Sequence, residues 1–134
     1  MGSGHVVDAS VLVAGLLDSG KDGAWSVGVL AQGSLVAPDL VVVESLNILR
    51  RLEQAGRVTE LEAASSQADL RELDIELLPA RPFQGRIWEL RRNLTCYDAC
   101  YVAVAEALEL PLATLDRRLS RASGPRCSFR TPAG

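Results

Sequence analysis

The sequence is poor in the residues that most catalytic and scaffold chemistries need: one histidine, three cysteines, one lysine and 4% aromatic residues. The lone histidine, His5, precedes the first strand-like run and has no recognisable nucleophile partner, which argues against Ser/His/Asp catalysis. Cys96, Cys100 and Cys127 are odd in number and fall at neither Cys-x-x-Cys nor zinc-finger spacing. That excludes a disulfide scaffold and fits a reducing cytoplasm. Cys96 and Cys100, four residues apart in an apolar helix, read as small core residues. Apolar runs such as Leu12–Leu17 and Leu40–Val43 stop far short of the ~20 residues a spanning helix needs. The first residues lack a basic n-region and an apolar h-region, and Val6 stands where a myristoylation signal needs Ser or Thr. The expectation is a soluble, cytoplasmic protein with no membrane partner. Residues 1–4 include Gly-Ser-Gly, of linker composition, and are left out of the expected fold.

What is present is a core. With 134 residues, 48% of them apolar, the chain makes one domain over residues 1–134, and disorder is excluded. The net charge of −3 hides an asymmetry: residues 1–80 carry 5 basic and 12 acidic side chains, residues 81–134 carry 9 and 5. Thirteen of the 14 basic residues are arginine, the side chain suited to bidentate phosphate contact.

Apolar periodicity and turn residues give an alternation of strands and helices. Strands are expected at His5–Asp8, Leu35–Ala37, Ile75–Leu78, Leu112–Leu115 and, at an edge, Ser128–Arg130. Helices are expected at Ala9–Leu17, Asp22–Gln32, Leu40–Gln54 after Pro38-Asp39, Thr59–Leu73, Pro82–Asn93 and Cys96–Glu109. The pattern assigns nothing firm to about 121–134. Such alternation implies right-handed crossovers: an α/β fold with a central, mainly parallel sheet covered by helices on both faces. Ligands then bind beyond the carboxyl ends of the strands where the strand order reverses, and the spacing puts Asp8 and Asp116 there. Gly15-x-x-x-x-Gly20-Lys21 mimics a phosphate loop, but Asp22 replaces its Ser/Thr and the first glycine lies inside a helix, so the match is coincidental.

Four carboxylates keep apolar company: Asp8 in Val-Val-Asp-Ala-Ser, Glu44 in Val-Val-Val-Glu-Ser-Leu, Asp98 in Cys-Tyr-Asp-Ala-Cys-Tyr and Asp116 in Ala-Thr-Leu-Asp-Arg-Arg-Leu. Each aspartate has an ordinary alternative role: Asp8 as a helix cap, Asp98 as the third helical residue of a Thr95 capping box, Asp116 as a turn residue. Glu44 resists such a reading, because Leu40, Val41 and Ile48 share its helix face. An unpaired buried carboxylate costs several kcal/mol, so four together call for a cation. Oxygen ligands without nitrogen or sulfur select Mg²⁺ or Mn²⁺, and Mg²⁺ favours phosphate chemistry.

Taken in order and spacing, Val-Val-Asp8-Ala-Ser-Val-Leu-Val, Ala-Pro-Asp-Leu-Val-Val-Val-Glu44, Thr95-Cys-Tyr-Asp98-Ala-Cys-Tyr-Val-Ala-Val-Ala-Glu and Leu-Ala-Thr114-Leu-Asp116-Arg-Arg-Leu resemble PIN-domain ribonucleases, in particular VapC-type toxins of toxin-antitoxin pairs. The resemblance runs from residue 5 to about 120. It implies a three-layer α/β/α PIN-like fold, usually dimeric, that cuts RNA with Mg²⁺ or Mn²⁺ and is blocked by a cognate antitoxin protein. It carries a catalytic and metal-binding role to Asp8, Glu44, Asp98 and Asp116, with Ser10 and Thr114 in support. Arg86, Arg91, Arg92, Arg117, Arg118 and Arg121 are candidates for guiding RNA toward an acidic pocket that would otherwise repel it. Competing readings are a housekeeping RNA-processing nuclease and an acidic-site binding module without turnover. A receiver-type phosphotransfer domain is disfavoured, because the only lysine, Lys21, comes early.

Overall fold

The structure, a computed structural model, describes residues 3–17 and 20–134; Met1 and Gly2 of the linker-like start, and Asp18 and Ser19 of the Gly15–Lys21 match, lie outside the described residues. In chain order it comprises β1 (Gly4–Val7), α1 (Ala9–Leu17), α2 (Gly20–Leu30), β2 (Ser34–Pro38), α3 (Leu40–Gln54), α4 (Glu60–Glu72), β3 (Glu76–Leu78), α5 (Gln84–Glu89), α6 (Cys96–Leu108), β4 (Leu112–Ala113), α7 (Arg117–Ser120) and β5 (Phe129–Arg130).

The strands pair in the order β3-β2-β1-β4-β5, and all four pairings are parallel. From β1 the chain steps outward through β2 to β3, then returns across the sheet to β4. Right-handed crossovers in opposite directions put their helices on opposite faces, which yields three layers. Accordingly α1 packs on α2, α3 and α4, whereas α6 packs on α5 and crosses β1 and β2. β1 is buried along its whole length, as a central strand covered on both sides must be, and Val6, Val7 and Leu12 meet Val102, Val104 and Leu112 in one core. No helix among the described residues is long and apolar enough to cross a membrane.

Two expectations need correction. Gly4 belongs to the fold: at φ +141° it pairs with Ser34, and a Cβ there would lie 2.5 Å from the Ser34 carbonyl oxygen. The helix expected over Pro82–Asn93 is instead a six-residue α5 between 3₁₀ turns at Arg81–Phe83 and Leu90–Arg92. Pro82 supplies no N–H and Gly85 weakens the middle, so the segment never builds the run of i→i−4 bonds a long helix requires. α3 starts after Pro38-Asp39 as expected, with Asp39 already helical at φ −50°, ψ −35° and making no side-chain cap.

The tail, in which only the edge strand at Ser128–Arg130 is expected from the sequence and is found as β5, is pinned. β5 bonds to β4 through Leu112 N–H to Ser128 O (2.9 Å) and Thr114 N–H to Arg130 O (3.0 Å). The Arg86 guanidinium donates to Gly124 O at 2.9 Å, and Arg126 N–H donates to Glu106 Oε2 at 2.7 Å.

Candidate functional site

The strand order reverses between β1 and β4. The register pairs Val7 with Ala113, and one residue further on the Asp8 N–H donates to Ala113 O at 3.3 Å. The ends of two central strands thereby set Asp8 beside Thr114. Asp8 is 8% exposed and accepts three hydrogen bonds. The Ser10 hydroxyl (2.5 Å) and Val11 N–H (3.1 Å) donate to Oδ1, and the Thr114 hydroxyl donates to Oδ2. Both hydroxyls also accept from the backbone after β4: Ser10 from Leu115 N–H (3.2 Å), Thr114 from Asp116 N–H (2.9 Å). A carboxylate offers about four acceptor positions, so one remains free on Asp8.

The other three acids reach this edge from helix starts. Glu44 sits in the second turn of α3, which leaves the carboxyl end of β2. The buried Tyr101 of α6 donates its hydroxyl to Glu44 Oε1 at 2.5 Å. Asp98 is in the first turn of α6, where its N–H donates to Thr95 Oγ1 at 3.1 Å. At α4 the same spacing closes a full capping box, with the Glu62 side chain returning to the Thr59 N–H at 2.8 Å. The shorter Asp98 side chain makes no such return bond to the Thr95 N–H. Asp116 does cap: its Oδ1 accepts from Arg118 N–H (2.9 Å) and Leu119 N–H (3.3 Å) to start α7.

The electrostatics agree with this placement. Burial raises the Asp8 pKa against the lowering effect of its three donors, and Asp98 raises it further. Glu44 is raised by burial and by Asp98 and Asp8, with the Tyr101 bond opposing. Asp98 is raised by burial and by Asp116, with Thr95 and Arg118 opposing. The carboxylates thus feel one another. Among the described residues the one ion pair any of them makes is the loose contact of Arg118 with Asp116 at 3.9 Å.

This is a concentration of negative charge without a matching cation, and its all-oxygen donor set suits a hard divalent ion. It is also open: among the described residues, no three His, Cys, Asp or Glu side chains stand close enough to hold one ion. The tight four-acid grip expected from the sequence is therefore absent from this arrangement. An ion held by one or two carboxylates that keeps most of its waters is the mode that fits, as is usual for Mg²⁺.

The arginine candidates separate. Arg86 is spent elsewhere, on Glu106 near the far end of α6 (2.7 and 3.1 Å) and on Gly124, so it is removed from the set that could guide a substrate. Arg117 donates to Pro132 O at 2.8 Å, and Arg91 lies over the Trp88 ring, 4.2 Å from its centroid. Arg92, Arg118 and Arg121 are exposed, the last two on or just after α7 beside Asp116. Cys96, expected in the core, is exposed, while Cys100 is buried as expected.

Residues 5–125 match the PIN domain. The chain belongs to the PIN-domain family. It is 39% identical over 122 residues to "VapC ribonuclease Mb0985" of Mycobacterium bovis, which covers 91% of this chain and 93% of the relative. It is 36% identical over 126 residues to ribonuclease VapC1 of Mycobacterium tuberculosis, covering 93% and 95%. The crystal structure of PAE2754 from Pyrobaculum aerophilum superposes with a TM-score of 0.72 at 26% identity, covering 96% of this chain and 84% of that one. M. tuberculosis VapC20, described as a sarcin-ricin loop cleaving toxin, superposes at 0.65 over 86% and 92%; at 17% identity it speaks for the fold alone.

Sequence reasoning about this PIN domain missed Tyr101. A signal existed: Tyr101 lies three residues after Asp98 in an apolar helix, and a buried tyrosine hydroxyl needs a partner.

Proposed function

We propose that this PIN domain is an endoribonuclease dependent on Mg²⁺ or Mn²⁺, the toxin of a toxin-antitoxin pair. The observation that carries the reading is the set of mutually repelling carboxylates at the β1/β4 reversal, in a chain alike over nine tenths of its length to proteins named VapC ribonucleases. A bound divalent ion would supply charge neutralisation at the scissile phosphate and a water acidified for attack.

The rest falls to the chain. Asp8, fixed by Ser10, Thr114 and Val11, is the rigid ligand, and Asp98, whose charge acts on it, is its functional companion. Glu44, oriented by Tyr101, and Asp116, anchored as a cap, complete the acidic edge. Arg118 and Arg121 offer phosphate contacts beside it. With water rather than the 2′-hydroxyl as nucleophile, the products carry 5′-phosphate and 3′-hydroxyl ends. The protein partner we propose is a cognate antitoxin covering this edge, and the assembly is a homodimer.

The deciding experiment incubates the protein with total RNA, with Mg²⁺, Mn²⁺ or chelator, and maps the new ends. Cuts at discrete sites bearing 5′-phosphate and requiring the metal are expected. Cyclic-phosphate ends, or cleavage that persists in chelator, would overturn the mechanism. A small reading frame beside the gene whose product abolishes the activity would separate a toxin from a housekeeping nuclease.

A further inference from the structure

Beside the acidic edge, between the start of α3, α5 and the start of α6, runs a groove of about 300 Å³. We infer that this groove, lined by Leu40, Arg81, Gln84, Ile87, Cys96 and Tyr97, receives an unpaired base of the RNA next to the phosphate to be cut, and so contributes to the choice of cleavage site. The inference rests on the nuclease reading above and deepens it.

Position comes first. Leu40 is one helical turn before Glu44, and Tyr97 immediately precedes Asp98, so the groove and the acids share two helix starts. Cys100, also in the lining, is two residues after Asp98 on α6.

Composition comes second. Leu40, Ile87 and Cys100 make an apolar floor, while Ala80, Arg81 and Gln84 stand exposed at the rim. Tyr97 is 66% exposed, a large ring held in water by the first turn of a well-formed helix. An aromatic face beside an apolar floor suits a base, and the Gln84 amide can pair with its edge as donor or acceptor. Arg81 has no ion-pair partner among the described residues, leaving its guanidinium for the ribose-phosphate that accompanies the base.

Charge decides between occupants. The carboxylates next door repel the polyanionic backbone they must engage, whereas a base is neutral and stacks regardless of that field. A base seated here offsets the repulsion within reach of the acids, and the arginine at the rim complements the RNA backbone.

The test measures binding in chelator, at fixed salt, of two single-stranded probes: octauridylate and an octamer of abasic ribose phosphates. The intact protein should prefer octauridylate by about tenfold, in the range of stacking on one aromatic side chain. Tyr97→Leu should bring the ratio close to one, and Tyr97→Phe should keep it. Equal binding of both probes by the intact protein, or a preference that survives Tyr97→Leu, would overturn the inference. So would conversion of a dimer to a monomer by Tyr97→Leu with the preference intact, which would make this face a contact between copies. Metal-dependent cleavage of total RNA without base preference would retire the groove and leave the nuclease reading standing. A base preference without cleavage would keep the groove and remove the nuclease reading.

Discussion

The two edges of the sheet treat charge in opposite ways. At the amino edge, Glu106 in the last turn of α6 meets Arg86 through two oxygens and accepts Arg126 N–H as well. These partners together outweigh burial and hold the Glu106 carboxyl below its usual range. At the carboxyl edge, Asp8, Glu44 and Asp98 are all raised, with burial as the first cause and neighbouring acids adding to it. One helix, α6, carries an acid of each kind. The amino edge is neutralised inside the chain and serves the fold, whereas the carboxyl edge is left for a partner from outside.

The largest effect that would break this contrast is catalytic. Asp8→Asn and Asp98→Asn should each lower metal-dependent RNA cleavage by about 10³-fold while the far-ultraviolet circular dichroism stays that of the parent, since each removes charge aimed at the ion. Full turnover by both variants would make the acidic edge ordinary surface. Next comes the amino edge. Arg86→Met should cost about 2 kcal/mol in urea unfolding and leave cleavage per folded molecule unchanged, because Glu106 keeps its place but loses its charged donor. The pH dependence has a defined sign. With the folded-state Glu106 pKa depressed, the parent's advantage over Arg86→Met is full above the ordinary carboxylate range and disappears as the pH falls through the depressed value.

These two edges were unequally legible in the sequence. α3 was found at its observed ends because Pro38 and Gly56 punctuate a long amphipathic run; Asp8 and Asp116 were found because strand ends place them, and Glu44 because apolar residues share its helix face. Arg86 was grouped with Arg91 and Arg92 by proximity in sequence, although its partner Glu106 is twenty residues away on a neighbouring helix. The edge strand expected at Ser128–Arg130 is found as β5, but what holds the rest of the tail was illegible for the same reason: it is fixed by Arg86 and Glu106, which are distant in sequence. Tyr101 escaped because the residues said that its hydroxyl needs a partner but not which one, and only the fold, which brings the side chain of Tyr101 in α6 to that of Glu44 in α3, supplies it.

A third effect sharpens the comparison without any substrate. Mg²⁺ at about ten times its dissociation constant should raise the folding free energy of the parent by roughly 1.4 kcal/mol, read as a rise in Tm, and EDTA should reverse it. Asp8→Asn should lose that rise, whereas Arg86→Met should keep it. Equal stabilisation of all three proteins would locate the ion somewhere other than the acidic edge.

The smallest expected effect is the most discriminating about the cause of the charge imbalance. In EDTA, Asp98→Asn should be slightly more stable than the parent at neutral pH, by less than about 1 kcal/mol because the group is partly solvated. The sign follows from the raised folded-state pKa: between the ordinary carboxylate value and that raised value the folded state holds more protons than the unfolded one. Stability contributed at Asp98 is therefore fullest in acid and is lost as the pH rises through this window. Asparagine cannot ionise, so its advantage should grow over the same window and then level off, whereas Arg86→Met falls behind the parent as the pH rises. If Asp98→Asn were instead less stable at neutral pH in EDTA, its carboxylate would already have a partner within the chain, and the case for a cation from outside would lose its physical basis.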